Sequence, residues 1–486
     1  MNDIRCPLNR TAEKFSDWPA LINSQKSITY SALDKLVHLA AVSLTKKGVH
    51  RGTKIAVLGM NTIEYCVLIL AVLRIGAIIC PINHRLPQKA VQTQLKNLNC
   101  KLLVLINYSK SVFTVPGVRL FLIDELVSDL TGQKTFGSEP VVSFQNPAAV
   151  VFTSGTSNIP KAALLSYGNF YFNALGANER ISFDENHRWL LTLPLYHVGG
   201  LGILFRAIIA GGGVVVPEKD ESVFEAIKKF EITHLSLVPT QLYRLFNGPI
   251  PKFSKTAPIV LTGGGPISKK LLQMCRKAKL NLYRTYGLTE MTSQVTTGKC
   301  GKGADSGSLL KYRELEISPE GEILVKGKTL FQGYLKNDSI ELPLDSSGWF
   351  HTGDMGELNQ KGLLTVWGRK DHMFVSGGEN IHPEEIESHL MKIDGVEQAL
   401  VVGMSDEEFG ARPGAFIKYS NSEALSQKEI TALLEKELPR YKIPKRIFDW
   451  PGNLDDGALK LSRTEFLKLA ETLLPKRRKQ IQEVSP

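Results

Sequence analysis

The chain has 486 residues, 43% of them hydrophobic and 22% charged, with a net charge of +11. That length exceeds one ordinary domain, and that composition excludes a disordered chain. Lys and Arg are spread along the whole chain without an accompanying aromatic stripe, which excludes a nucleic-acid-binding surface and leaves a general preference for anionic ligands.

The N-terminal stretch "MNDIRCPLNRTAEKFSDW" lacks the charged and apolar regions of a signal peptide. From residue 28, "ITYSALDKLVHLAAVSLTKKG" has helical spacing, with Ser31 as the expected N-cap and Gly48 as the stop. "KIAVLG" (54–59) reads as a buried strand. "CVLILAVLRIGAIIC" (66–80) is too short to span a bilayer and reads as a buried helix running into a strand. Cys6, Cys66, Cys80, Cys100, Cys275 and Cys300 form no CxxC and no metal spacing, as expected of free thiols. A cytoplasmic protein without stable membrane association follows as the expectation.

"KLLVLIN" (101–107), "VRLFLID" (118–124), "RWLLTLP" (188–194), "GGVVVPE" (212–218), "ITHLSLVP" (232–239) and "PIVLTGG" (258–264) continue the strand theme between helices. Strands alternating with helices predict parallel sheets, here two doubly wound α/β subdomains. Past residue 300, short Gly-punctuated strands predict a small β-barrel-like subdomain. A compact α+β pattern then follows, with a helix at 383–392, strands at 396–404 and 414–420, and a helix at 426–438. The expected division is a large N-terminal domain, 1–370, and a small mobile α+β C-terminal domain, 371–486. "KRRK" (476–479) reads as a solvated tail. A homo-oligomer is compatible with this sequence, which carries no signal either way.

"TSGTSNIPKAALLS" (153–166) has Walker A spacing from Gly155 to Lys161, but Pro160 and Ala162 replace the required Gly and Ser/Thr. Pro removes an amide donor and Ala removes a metal-binding hydroxyl. Thr153, Ser154, Thr156 and Ser157 can still wrap a polyphosphate while Lys161 neutralises it. The stretch reads equally well as a Ser/Thr-rich turn before a helix.

Further stretches favour the phosphate. "LTGGGPIS" (261–268) ends a strand in glycines, where an open α/β sheet admits ligands. "TYGLTEM" (285–291) offers Tyr286 for stacking, Thr289 as a hydroxyl donor and Glu290 as a hard ligand for Mg2+. "GWFHTGD" (348–354) ends in Asp354, suited to ribose hydroxyls, and Arg369 follows in "GRKD".

Together these motifs resemble the adenylate-forming superfamily of acyl- and aryl-CoA ligases, luciferases and adenylation domains, from "ITY" at 28–30 to "KLSR" at 460–463. The resemblance implies ATP, Mg2+ and CoA as co-substrates. The Ser/Thr/Gly loop would hold the β- and γ-phosphates. Gly263, Gly264, Gly265, Pro266, Tyr286 and Gly287 would frame the adenine. Thr289 would meet the α-phosphate, Glu290 the metal, and Asp354 with Arg369 the ribose. Asp371 would be the hinge and Lys460 the catalytic lysine. Gly377 and Gly378 in "SGGEN" would wall the CoA tunnel. The chain departs from the family pattern at Ser157-Asn158, at Ala162, and at Leu459, which stands where the family has Gly before the lysine.

"LPLYHVGGLGILFR" (193–206) would line the acid pocket, with His197 as a pocket and catalytic residue in place of the Phe-Asp pair of amino-acid-adenylating domains. Gly199, Gly200 and Gly202 suggest room for a ring against backbone. Arg206, in an otherwise apolar helical run, needs an anionic partner or solvent. With "SQ" at 293–294, including Ser293 as a pocket residue, this pattern most resembles the o-succinylbenzoate–CoA ligase branch of menaquinone biosynthesis. The alternatives are a medium-chain or aromatic monoacid ligase, a carrier-protein-loading enzyme and a non-catalytic nucleotide binder.

Overall fold

The computed structural model describes residues 3–108, 113, 115–127, 140–153, 160–246, 257–265, 267, 269–301, 303, 305–336, 338–419, 424–452 and 463–473. The chain forms two compact units. One comprises Met1–Gly265, Met274–Thr352 and Glu357–Thr365; the other comprises Pro266–Gln273, Gly353–Gly356 and Val366–Pro486.

The first unit contains two large sheets. One has eight strands, in the order Ser339–Glu341, Gly333–Lys336, Lys161–Ser166, Pro147–Thr153, Ile78–Ile82, Lys54–Leu58, Leu102–Leu105, Arg119–Leu122. Its strands from Ile78–Ile82 to Arg119–Leu122 run parallel, and Lys161–Ser166 pairs antiparallel with Pro147–Thr153. The apolar run at 66–80 divides as expected into the helix Ile63–Ile75 and the strand Ile78–Ile82. Thr62 caps the helix start by accepting from the Tyr65 amide, and Gly76 at φ +77° ends it. The preceding helix, Tyr30–Lys46, corrects one expectation: its N-cap is Thr29, whose side chain accepts from the Ala32 amide, and Ser31 already lies inside the helix. Thr29 closes the short strand Ser27–Thr29, so its extended backbone places the hydroxyl over the first turn.

The second sheet has nine strands, in the order Ser308–Leu309, Ser293–Lys299, Asn281–Leu288, Ile259–Thr262, His234–Leu237, Arg188–Leu190, Gly213–Val215, Pro19–Ile22, Ser27–Thr29. From Pro19–Ile22 to Asn281–Leu288 the strands run parallel. The chain leaves Arg188–Leu190 to one side for Gly213–Val215 and then returns to the other side for His234–Leu237. This reversal is a topological switch point, and ligands of open α/β sheets bind outside the carboxyl ends of strands there. The segments that follow those carboxyl ends begin at Leu191, Val238, Gly263 and Thr289.

The Gly-punctuated region forms a four-stranded sheet, in the order Arg313–Ile317, Glu322–Gly327, Phe350–Leu358, Leu364–Arg369. In the second unit the long hairpin Val396–Asp406/Gly410–Tyr419 pairs with Phe374–Ser376 and Arg446–Asp449. Helices Pro383–Leu390 and Gln427–Leu434 bury Ile386, Leu390, Ile430 and Leu434 in its core.

Candidate functional site

Ser154, Gly155, Thr156 and Ser157 of the expected phosphate loop lie outside the described residues, as do Pro266, Leu459 and Lys460. The flanks of the loop are clear. Thr153 and Lys161 are Cα partners across an antiparallel pair, so the segment joins two strands. The reading as a turn before a helix is therefore corrected: the helix Tyr167–Arg180 starts only after the strand Lys161–Ser166, behind a Ser166/Asn169 capping box. Lys161 is exposed, and its Nζ lies 4.8 Å from the centre of the Tyr334 ring. The Tyr334 hydroxyl donates to Glu290 Oε1 at 2.7 Å. Tyr334 thus links the base of the loop to the proposed metal carboxylate. No spacing in the sequence singles it out, because it reaches Glu290 by tertiary folding.

Along the carboxyl edge of the second sheet, two glycines are dictated by close approach. A Cβ on Gly263 would lie 2.7 Å from the Thr285 carbonyl oxygen, and one on Gly287 would lie 1.8 Å from the Ser293 carbonyl oxygen. Gly264 takes φ +81°, and Gly265 is exposed. The register shifts between Tyr286 and Gly287, and Ser293, the Cα partner of Leu288, adopts φ +107°. Such irregularity beside a strand end re-aims the chain. Here it leads Tyr286, which is buried, into the turn Thr289–Met291 that carries Thr289 and Glu290. The Glu290 carbonyl accepts from the Phe331 amide at 2.8 Å, which holds that turn in place.

His197 is the N-cap residue of the helix Val198–Ala210 and is half-buried. The segment before it is tied to the other large sheet by Asn61, which the sequence did not mark. Asn61 Oδ1 accepts from the Leu195 amide at 2.9 Å and Nδ2 donates to the Leu193 carbonyl at 2.9 Å. The Tyr196 ring meets His84 and His197 at centroid distances of 5.6 and 4.6 Å. The glycines expected to line the acid pocket also meet neighbouring protein atoms. A Cβ on Gly200 would lie 2.3 Å from the Pro194 carbonyl oxygen, so Gly200 serves the close packing of the turn onto the helix, whereas one on Gly199 would meet only the movable end of the Leu193 side chain, at 2.8 Å. Only Gly202 of the three faces Arg206, whose Nη2 lies 3.6 Å from the Cβ direction. The guanidinium therefore leans towards the His197 end of the helix, as helical side chains do.

Arg206 is 1% exposed. Its Nη2 donates to Gln294 Oε1, its guanidinium lies over the Trp189 ring at 5.0 Å, and its Nε has no hydrogen-bond partner among the described residues. Burial pushes the guanidinium down to about 10. Among the described residues no carboxylate pairs with it. A buried guanidinium so placed is suited to receive an anion.

In the second unit Arg369 joins two expected site carboxylates. It donates to Asp354 Oδ1 from Nη1 at 3.2 Å, and to Asp371 from Nε at 3.0 Å and Nη2 at 3.3 Å. Burial works against its charge, but the Asp371 hydrogen bonds and the charges of Asp354 and Asp371 hold it above its ordinary pKa. Gly377 and Gly378, at φ +59° and +88°, form the two-residue turn between Phe374–Ser376 and Glu379–Ile381. A Cβ on Gly378 would meet nothing within 4 Å. Arg463, which ends the "KLSR" stretch, is fastened to Glu384 at 3.0 Å and to buried Glu387. His372, next to Asp371, bonds the same Glu384 at 2.7 Å.

The AMP-binding enzyme family model matches residues 8–335, and that of the AMP-binding enzyme C-terminal domain matches residues 385–451. The 2-succinylbenzoate–CoA ligase of Bacillus cereus is 31% identical over 476 residues, covering 94% of this chain and 96% of that protein. The o-succinylbenzoate CoA synthetase of Bacillus subtilis, in complex with the acyl-adenylate intermediate OSB-AMP, superposes with a TM-score of 0.86 at 28% identity, covering 96% of this chain and 98% of that one. The same synthetase in complex with ATP and magnesium ion superposes with a TM-score of 0.84 at 29% identity, covering 92% of this chain and 96% of that one.

Proposed function

The chain belongs to the AMP-binding enzyme family, and we propose that it is an ATP-dependent acid–CoA ligase whose acid is o-succinylbenzoate, acting in menaquinone biosynthesis. A carboxylate oxygen of the acid attacks the α-phosphorus of ATP, giving the acyl-adenylate and pyrophosphate. The CoA thiol then attacks the acyl carbonyl, and AMP leaves.

In this reading the Thr153–Lys161 loop grips the β- and γ-phosphates between two strand ends, and Thr289 donates to the α-phosphate. Gly263–Pro266 and Tyr286 enclose the adenine, while Asp354 and Arg369 take the ribose. Bound Mg2+ supplies positive charge to the phosphate oxygens. The donor set suits it: Glu290 offers one carboxylate, one of whose oxygens accepts from Tyr334, and no cluster of three or more ligating side chains exists among the described residues. Mg2+ is characteristically held by one or two carboxylates with phosphates and water completing the shell. Lys460 neutralises the attacking carboxylate and the α-phosphate together. Asp371 serves as the hinge between the two half-reactions, and the Gly377-Gly378 turn presents a side-chain-free wall to pantetheine. His197, Gly199, Gly200 and Ser293 line the acid site, with Arg206 paired to the ring carboxylate. No described helix is long and apolar enough to cross a membrane, and we place the enzyme in the cytoplasm.

The observation that carries the substrate is Arg206, buried beside Gln294 and Trp189 with no carboxylate partner among the described residues. Pyrophosphate release with ATP and Mg2+, measured over o-succinylbenzoate, benzoate, octanoate and amino acids with and without CoA, tests it. CoA-dependent turnover confined to o-succinylbenzoate supports the reading, and Arg206→Leu then raises KM for this diacid but not for a monoacid. Turnover with octanoate or benzoate in its place overturns the substrate. ATP binding without turnover across the panel overturns the CoA ligase.

A further inference from the structure

Among the described residues, Arg206 is not the only guanidinium buried without an anionic partner. Arg313, at the start of the strand Arg313–Ile317, is 5% exposed. Its Nε donates to the Gln294 carbonyl at 2.6 Å, Nη1 to the Lys311 carbonyl at 2.7 Å and Nη2 to the Asn173 carbonyl at 3.5 Å. All these acceptors are neutral, and no described carboxylate pairs with Arg313. Gln294 therefore sits between two buried cations, its side-chain oxygen bound to Arg206 and its main-chain oxygen bound to Arg313. Its amide nitrogen donates to Thr297 Oγ1 at 2.7 Å, and because Arg206 only donates, the amide oxygen is the end that faces it.

Buried charges are ordinarily paired, because an isolated one loses its hydration for nothing in return. Two of them joined through one glutamine raise the local positive potential in a medium that screens poorly. Burial pushes Arg313 down to about 9, and the charge of Arg206 acts in the same direction. Polar capacity also stands unused nearby: neither side-chain polar atom of Asn173, the residue whose carbonyl Arg313 contacts, has a partner among the described residues. A site of this kind is relieved by an incoming negative charge and gains nothing from a neutral ring.

We propose that Arg313 is a positioning residue that sets the preference for a diacid: it holds Gln294, and through it Arg206, in place, and adds a second positive charge behind the carboxylate-binding guanidinium. This rests on the reading that Arg206 receives the second carboxylate. Arg313 itself touches no substrate. A purely structural Arg313, pinning the chain at Asn173, Lys311 and Gln294, would affect all acids alike.

The test compares kcat and KM for o-succinylbenzoate and for the same keto acid lacking its ring carboxylate, in wild-type, Arg313→Gln and Arg313→Lys full-length protein. In Arg313→Gln the kcat/KM for the diacid falls about tenfold or more through KM, as for a second charge lost from a poorly screening interior, while that for the monoacid changes less than about threefold. Arg313→Lys keeps the charge without the planar fork and recovers part of the preference. Equal losses for both acids in Arg313→Gln, or an undiminished preference, overturn the inference. If Arg313→Gln does not fold, Arg313→Lys decides: a reduced preference with unchanged monoacid kinetics supports the role, and the wild-type preference overturns it. A wild-type enzyme with no preference for the diacid overturns the substrate reading and this inference together. A wild-type preference that survives in the variants overturns this inference alone.

Discussion

The Tyr334 hydroxyl donates to the Glu290 carboxylate at 2.7 Å while the ring of Tyr334 carries the Lys161 ammonium at 4.8 Å. One side chain thereby joins a strand that closes the proposed phosphate loop to the turn that carries the proposed metal ligand. Removing the hydroxyl leaves Glu290 freer to rotate and weakens its hold on the ion. Tyr334→Phe should raise the Mg2+ concentration needed for half-maximal adenylation about tenfold, from one lost hydrogen bond to a charged group. A parallel loss in direct Mn2+ titration of the nucleotide complex is expected, with the melting temperature nearly unchanged. An unaltered metal requirement would show that the bond is incidental.

Gly287 has no room for a side chain, because a Cβ there would lie 1.8 Å from the Ser293 carbonyl oxygen. The obstacle is backbone, so relief requires the two strands to separate at the register shift. Gly287→Ala should destabilise the protein by about 3 kcal/mol, at the upper end of overpacking effects, seen as a lower urea midpoint. It should also impair ATP use, since the shift orders Thr289 and Glu290. Wild-type stability for this variant would refute the packing argument.

His234 lies beneath Trp189, with ring centroids 5.0 Å apart, and its Nε2 has no partner among the described residues. Burial, with the charge of His187 adding to it, pushes its pKa down to about 3. The unfolded chain takes up this proton near pH 6.5 and the folded chain only near 3, so the stability it contributes is complete above 6.5 and declines as pH falls between these values. Between pH 7 and 4.5 this group alone should remove about 2–3 kcal/mol. His234→Gln should therefore show a shallower loss of urea midpoint over that interval than wild type. Parallel profiles would contradict the sign or the size of the effect.

Arg463 is fastened to Glu384 and Glu387, and His372, beside the proposed hinge residue Asp371, shares Glu384. The far end of the Lys460 segment is thus anchored within its own unit. Lys460→Ala should lower acyl-adenylate formation by on the order of a hundredfold or more, as for removal of a transition-state cation. Conversion of presynthesised acyl-adenylate to the CoA ester should be spared. Equal losses in both half-reactions would count against Lys460 as the adenylation lysine, and would turn attention to Leu459.

Element types and most element positions were legible in the sequence because they follow from local periodicity and from glycine. The run at 66–80 splits where Gly76 adopts φ +77°, and "GGVVVPE" and "ITHLSLVP" become strands in the second sheet. The order of those strands was not legible. That Pro19–Ile22 pairs with Gly213–Val215 depends on contacts between distant segments, which no local pattern encodes. The site divides in the same way. Thr289, Glu290, Asp354, Arg369 and Arg206 were singled out because their residue types suit phosphate, metal, ribose and carboxylate, and their roles remain proposals. The close approach of Gly200 to the Pro194 carbonyl was not legible, because a glycine looks the same in sequence whether it clears a ligand or a neighbouring carbonyl.

By itself the sequence determined the chemistry on offer: hydroxyls and a lysine for phosphate, one hard carboxylate, and a lone arginine in an apolar helix, all set on alternating strands and helices. Only the tertiary structure decided which of these groups meet. It brought Tyr334 to Glu290, Asn61 to the His197 segment, and Arg313 behind Arg206 through Gln294. The physical reason is that hydrogen bonds and charge pairs act over a few ångströms, while the residues that make them lie far apart along the chain. Only burial of the apolar sheet faces brings them within that range.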